Sequence, residues 1–355
     1  MKDLGYEKGS SEKNVHFAAV NSGYGFLSFY GEVFGNGRIT RRYIIKGGPG
    51  TGKSSFMKRV AERAEEKGRI VEYYRCSSDP DSLDGIVIDG NTAFLDGTAP
   101  HVYEPNIPGA ADEIINLGEF WDSDRLYSRY NEIASLSALK TNAYTRAYKF
   151  LSAAMNVEEI NRSLASPALL RGKMRSAVGR LLRAVPDGDG FEREYGFVNA
   201  IGMKGLAHLD TYEREAKKLY VLYDSYGFAA DMLSEIVEAA QLKRLRIKAS
   251  YSPLTPELPD AVLLKDSGIA FVTDESCDSP FRINVKRFVD SDMIDEIKGE
   301  YRMNRRLRDA LTDSAVGELK RAGEYHFKLE EIYVSCMDFR AEDNFIRSFC
   351  DRVIC

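Results

Sequence analysis

Cysteine, histidine and tryptophan are scarce in this chain: five, four and one in 355 residues. The cysteines (Cys76, Cys277, Cys336, Cys350, Cys355) are odd in number and scattered, which argues against a disulfide framework and for reduced thiols. The histidines (His16, His101, His208, His326) do not fall beside cysteine at metal-ligand spacing, so no structural zinc site is expected. No apolar run approaches the ~18 residues that span a bilayer. The opening Met1-Lys2-Asp3-Leu4-Gly5 lacks the apolar stretch of a signal peptide. The expectation is a cytoplasmic protein with no membrane span. Positive charge is not in excess: 49 Lys and Arg against 54 Asp and Glu leave a net −5. That balance disfavours a protein built to coat nucleic acid or an anionic membrane. What remains is an ordinary globular composition, 44% hydrophobic and 29% charged. At roughly 150 residues per domain, the length suggests two domains.

Residues 1–15 read as a loose polar arm. Arg42-Tyr43-Ile44-Ile45-Lys46 reads as a buried strand, followed by a glycine-rich turn from Gly47 to Gly52. From Lys53 the apolar residues Phe56, Met57, Val60, Ala61 and Ala64 form a helical stripe ending at Gly68. Arg69 to Tyr74 and Ala93-Phe94-Leu95 read as further strands. Strand, helix and strand at this spacing predict a βαβ unit and a parallel sheet. Residues 110–165 lack strand signals and read as helical, and residues 167–195, with Pro167, Pro186 and Asp187-Gly188-Asp189-Gly190, read as a connector.

The second half repeats the first. Phe17 and Gly25 match Phe197 and Gly205 at an offset of 180 residues, Tyr43-Ile44-Ile45 matches Tyr220-Val221-Leu222 at 177, and the helical stripe recurs as Met232, Leu233, Ile236, Val237 and Ala240 at 176. Arg69-Ile70 matches Arg246-Ile247 and Ala93-Phe94 matches Ala270-Phe271, both at 177. Ordered pairings with matching element types predict an internal duplication. The expected architecture is α/β: two tandem P-loop NTPase-like units with parallel sheets and helical extensions. The expected boundaries are 1–165 for the first unit, 166–195 for a linker and 196–355 for a degenerate second unit.

Gly47-Gly48-Pro49-Gly50-Thr51-Gly52-Lys53-Ser54 matches G-x-x-x-x-G-K-[ST] in full. Its glycines let successive N–H groups point at phosphate oxygens, and the following helix adds its positive end. Lys53 is placed for the β- and γ-phosphates, the Ser54 hydroxyl for Mg²⁺ and Ser55 for the α-phosphate. At the matching place the second half reads Asp224-Ser225-Tyr226-Gly227-Phe228-Ala229-Ala230-Asp231, with Ala229 and Ala230 in place of Lys53 and Ser54 and with Asp231 set to repel phosphate. That copy is not expected to bind nucleotide.

A second magnesium ligand should end a neighbouring strand. Asp96, after Thr92-Ala93-Phe94-Leu95, is preferred to Asp89, after Ile86-Val87-Ile88, because the Ala93-Phe94 strand recurs in the second copy, where Thr273 replaces the acid. No glutamate follows Asp96, which suggests slow hydrolysis or transfer to another acceptor. His101 is a candidate base, and Asp79, Asp81 and Asp84 form an acidic loop. The basic runs at Arg171, Lys173, Arg175, Arg180, Arg183 and at Arg302, Arg305, Arg306, Arg308 read first as solvated helix faces. Arg302 or Arg305 is the candidate for an arginine that reaches the γ-phosphate.

Together, His16-Phe17, residues 46–55, residues 76–85, Asp96-Gly97-Thr98-Ala99-Pro100-His101 and Leu117-Gly118-Glu119-Phe120-Trp121, with a duplicated second half, resemble an uncharacterised bacterial family of P-loop ATPase-like proteins. The resemblance runs over nearly the whole chain. Some relatives keep a phosphate loop in both halves, and this chain departs from them there. The loop and the strand-end carboxylate give the expectation of ATP with Mg²⁺, held by residues 47–55 and Asp96, with Lys53 and Asp96 catalytic; the resemblance itself implies little about substrate. It names no protein or small-molecule partner. Three readings follow: an ATPase that drives a shape change or a partner interaction, a small-molecule or nucleotide kinase, and, ranked last, a nucleic-acid motor. There is no L-S-G-G-Q signature and no N-K-x-D motif, which removes ABC-type transport and standard GTPases.

Overall fold

The computed structural model describes residues 14–354. The first half contains β1 (Val15–Phe17), β2 (Ala19–Ser22), β3 (Gly25–Ser28), α1 (Tyr30–Phe34), β4 (Arg41–Lys46), α2 (Lys53–Glu66), β5 (Val71–Arg75), β6 (Leu83–Ile88), β7 (Thr92–Asp96), β8 (Asp112–Asn116), α3 (Ser123–Ser128), α4 (Tyr130–Ala165) and α5 (Arg171–Leu181). The second contains β9 (Glu192–Tyr195), β10 (Asn199–Gly202), β11 (Gly205–His208), α6 (Thr211–Glu215), β12 (Lys218–Tyr223), α7 (Ala229–Leu242), β13 (Arg246–Tyr251), β14 (Pro259–Leu264), β15 (Ile269–Val272), β16 (Phe281–Asn284), α8 (Ser291–Val334) and α9 (Phe339–Val353).

Each half builds a six-stranded sheet with the same order, β1-β5-β6-β7-β4-β8 and β9-β13-β14-β15-β12-β16. The chain is α/β with a repeat, as the ordered pairings require. The two copies meet at their matched phenylalanines, where the Phe17 N–H donates to the Phe197 carbonyl at 2.8 Å.

Two expectations about the sheets need correction. They are mixed, because β6 and β14 run antiparallel to both neighbours. The cause is local. Asp89 and Gly90 both take positive φ (49° and 68°), and the Asn91 N–H closes on the Ile88 carbonyl at 3.1 Å. This is the Asp-Gly hairpin geometry, and it folds β7 back onto β6. The stretch 110–165 is also not wholly helical, since β8 pairs with β4 at the sheet edge. Its outward side is open, with Ile114 half exposed, so it carries little of the buried apolar signal that marks an inner strand.

The segment read as a linker is structured too. β9 pairs with β13, and α5 buries Met174 and Val178 in the second core. The helical ends are exchanged: α5 packs on α7 of the second unit, and α9 packs on α2 of the first, contributing Ile346, Phe349 and Cys350 to that core. Matched hydrogen bonds anchor the exchange. Asp122 N–H donates to the Cys336 carbonyl and Asp290 N–H to the Ala168 carbonyl, both at 2.8 Å. Between them α4 and α8 pack antiparallel, with Arg146 on Glu318 (2.8 Å) and Arg308 on Glu158 (2.6 Å). At 1.5 Å per residue these helices run about 54 and 66 Å. Of the loose arm expected over 1–15, residues 1–13 lie outside the described residues, and Val15 opens β1.

Candidate functional site

The glycine-rich loop joins β4 to α2. Its helix starts at Lys53, and the capping Gly52 before it has a φ of 77°, which favours glycine. The stripe Phe56, Met57, Val60, Ala61 and Ala64 is fully buried, so hydrophobic packing fixes the helix and thereby its N-terminus. Lys53 Nζ donates to the carbonyls of Gly47 (3.0 Å) and Gly48 (2.9 Å), and the Thr51 hydroxyl donates to Gly48 (2.9 Å). Ser54 Oγ accepts the Leu83 N–H at 3.0 Å, and Ser55 is exposed.

Asp96 ends β7, directly beside β4. Its Oδ1 accepts the N–H (2.8 Å) and the hydroxyl of Thr98, and its Oδ2 lies 3.7 Å from Lys53 Nζ. Asp89 is elsewhere: it sits in the β6–β7 turn, at the opposite end of β7, and binds Arg69 (2.8 Å) and the Ile70 N–H (2.9 Å). Those contacts hold its carboxyl below the ordinary range, the Arg69 hydrogen bond first.

The sequence reading missed the groups that α4, α8 and α9 bring to the loop. A Cβ on Gly50 would stand 2.9 Å from the Glu330 carbonyl, one on Gly48 would stand 2.9 Å from the Tyr333 ring, and one on Gly52 would meet Glu342 Oε1. The loop is therefore glycine-rich partly because helices press on it. Glu330 lies 3.4 Å from His326. The His326 hydrogen bond, its charge, Lys53 and the Gly50 N–H hold the Glu330 carboxyl below its usual range. Lys140, on α4, is pulled down by burial and by the charge of Lys53. These contacts cross more than 80 residues of chain, and no local spacing announces them.

Glu342 is buried, and its carboxyl is pushed up to about 7, by burial first and then by Asp343. Its folded value exceeds the ordinary 4.5, so across that interval the native state holds a proton the unfolded chain has released. Stability from this group is complete below about 4.5, falls as pH rises to about 7 and is level above. Glu342→Gln should match the parent at pH 4 and exceed it by up to about 3 kcal/mol at pH 8. Denaturant melts at both pH values check this, and an equal difference at the two values would refute it.

The matching loop of the second copy is already filled. Asp224 accepts the N–H of Ala229 (2.8 Å) and of Tyr226 (2.9 Å), so a carboxylate of the chain itself occupies the loop's donors. Asp231, expected to repel phosphate, is neutralised by Arg162 (3.0 Å) and Arg171 (3.2 Å). The Arg302 and Arg305 expectation is overturned. Neighbouring Tyr301 packs on Tyr226 of the second copy's loop, whereas the part of α8 touching the first loop is Glu330 to Val334. The 25 residues from Arg305 to Glu330 put about 38 Å of helix between them. Lys140 is the cation that α4 brings there instead.

His101 is buried, stacked on Tyr30 and edge-on to Phe26, both at 4.9 Å. Its Nε2 lies 3.3 Å from Asp84 Oδ2. Burial raises the Asp84 carboxyl. Asp79 and Asp81 face the outer loop, Asp79 holding Ser82 and Asp81 pairing with Lys204. Among the described residues, no helix is long and apolar enough to cross a membrane. Comparison with protein-family models, with curated proteins and with solved structures found no match.

Proposed function

We propose that the first half binds ATP with Mg²⁺ and hydrolyses it slowly, and that α8 and α9 convey the nucleotide state to the rest of the molecule. The observation that carries this reading is the juxtaposition of a complete G-x-x-x-x-G-K-S loop at a helix N-terminus with Asp96, 3.7 Å from Lys53, on the adjacent parallel strand. Backbone N–H groups and Lys53 would bind the phosphates. The residues fit a magnesium ion: the Ser54 hydroxyl keeps a lone pair, and Asp96 Oδ2 faces the loop. When bound, the ion neutralises charge on the β- and γ-phosphates. Lys140 adds positive charge from α4. Helix coupling favours an ATPase over a kinase, because Glu330, Tyr333 and Glu342 stand directly on the loop.

The choice of carboxylate has its own test. Asp96→Asn should abolish Mg²⁺-dependent phosphate release, while Asp89→Asn, which changes only a turn, should retain it. The reverse pattern would place the metal on the wrong strand.

Glu330 offers a second one. Its carboxylate is held beside Gly50 and Lys53, where it opposes an incoming triphosphate. Glu330→Gln should tighten binding of an ATP analogue by about 3–10-fold, the worth of a partly screened charge. Unchanged or weaker binding in a calorimetric titration would show that the helix does not gate the loop.

A further inference from the structure

We propose that Cys76, Asp84 and His101 bind one divalent transition-metal ion, zinc by the chemistry of the donors. Cys76 follows β5, Asp84 is the second residue of antiparallel β6, and His101 lies in the loop after β7. Three adjacent strands thus deliver a thiol, a carboxylate and an imidazole to one end of the sheet. The three donor atoms all lie within 4.8 Å of one another. Spacing in the sequence gave no warning, because 76, 84 and 101 form no local motif. The hairpin and the parallel return of β7 create the cluster.

Two further observations point to a bound ion. Asp84 and His101 are 4% and 7% exposed, yet Asp84 Oδ2 has no hydrogen-bond partner. The 3.3 Å between His101 Nε2 and Asp84 Oδ2 therefore does not satisfy the carboxylate. A buried polar atom left in this way is costly. The separation matches a tetrahedral edge: zinc bonds of about 2.0–2.2 Å to nitrogen and oxygen set those atoms about 3.3–3.5 Å apart. Stacking on Tyr30 and Phe26 fixes the imidazole plane, and the Tyr30 hydroxyl donates to the Asp84 carbonyl at 3.2 Å, which anchors the strand. Thiolate with imidazole and carboxylate selects zinc over magnesium or calcium. Three protein ligands leave one coordination position for water or substrate.

The cluster His208, Glu213 and Asp274 is the natural comparison. There the imidazole is already partnered, Nδ1 by Asn199 at 2.8 Å and Nε2 by Glu213 at 3.1 Å, so it serves as the control.

The inference does not depend on nucleotide binding, and the experiment keeps the two apart. Full-length protein, held reduced without thiols, is stripped with chelator and titrated with Zn²⁺ and with Co²⁺, with metal content read by elemental analysis and cobalt ligation by absorption. The expected result is about one ion per chain and a thiolate-to-cobalt charge-transfer band. Cys76→Ser should lose the band, and Cys76→Ser and His101→Ala should each lose at least ~10-fold in affinity. His208→Ala and Lys53→Ala should keep both. The serine preserves shape, so matching apo melting curves separate lost ligation from lost fold. Absence of binding by the wild type, a band that survives Cys76→Ser, or one that disappears in His208→Ala would each overturn the proposal. Loss of nucleotide binding in Lys53→Ala with its metal retained leaves the site standing on its own.

Discussion

Replacing Lys53 by alanine is expected to weaken binding of a Mg²⁺-loaded ATP analogue by about 10–150-fold. A hydrogen bond to a charged group is worth about 1.5–3 kcal/mol, and each 1.4 kcal/mol is tenfold in affinity. The loop holds this side chain in place, since Nζ rests on two carbonyls of its own turn, Gly47 and Gly48. The ammonium is thus positioned at the mouth of a helix N-terminus before any ligand arrives, with little rotamer freedom left to lose. Alanine at the first position of α2 is a good helix residue, so the melting curve should barely move. Equilibrium titration with a fluorescent analogue reads the effect. Equal affinity in parent and variant, or no Mg²⁺-dependent binding by the parent, would remove the nucleotide reading. The same titration counts sites. The second copy's donors are taken by Asp224, so the stoichiometry should be one per chain, and two would show that this carboxylate yields.

The parts of this site that were legible in the sequence are those within one strand-turn-helix segment. Gly47 to Ser54 could be read because spacing along the chain is also spacing in space. Asp96 could be preferred to Asp89 because the Ala93-Phe94 of its strand recurs in the second half as Ala270-Phe271. The antiparallel β6 was legible in principle, because Asp89-Gly90 between two apolar runs is a hairpin signal. The edge strands were also there to be found. Ile115-Asn116-Leu117 and Phe120, with Asp122-Ser123, recur as Ile283-Asn284-Val285 and Phe288, with Asp290-Ser291. In both copies the asparagine side chain accepts from the backbone two residues on (Gly118 or Lys286), and the aspartate side chain caps the following helix. A break in the offset, from 177 to 168, hid the match. Lys140, Glu330 and Glu342 were not legible at all, because their place depends on how two long helices cross and on where α9 packs back. The same holds for the cysteine, aspartate and histidine cluster, which three strands assemble.

The exchange of helical ends carries the largest stability effect. Phe349, on α9, is 2% exposed and packs its ring against Tyr43 and Phe56 at 5.3 Å, Phe345 at 5.8 Å and Phe94 at 6.1 Å. Tyr43, Phe56 and Phe94 belong to β4, α2 and β7, the elements that carry the candidate site, so a residue near the C-terminus supports a loop some 300 residues earlier. Truncating a buried phenylalanine costs about 3–5 kcal/mol, from lost transfer energy and from the cavity left behind. Phe349→Ala should therefore lower the urea midpoint sharply, whereas exposed Arg340→Ala on the same helix should stay within about 0.5 kcal/mol of the parent. The boundary expected at residue 165 would make residues 1–165 a unit by themselves. The structure argues otherwise, because that fragment lacks Ile346, Phe349 and Cys350 and would present the apolar face of α2 to water. It should aggregate, or bind a hydrophobic dye and melt without cooperativity. The same deficit is expected of a chain ended at Asp338, with both sheets intact and only α9 removed. A cooperative melt of either shortened chain, at the parent's midpoint, would mean that the first unit closes its core without the helix lent by the second.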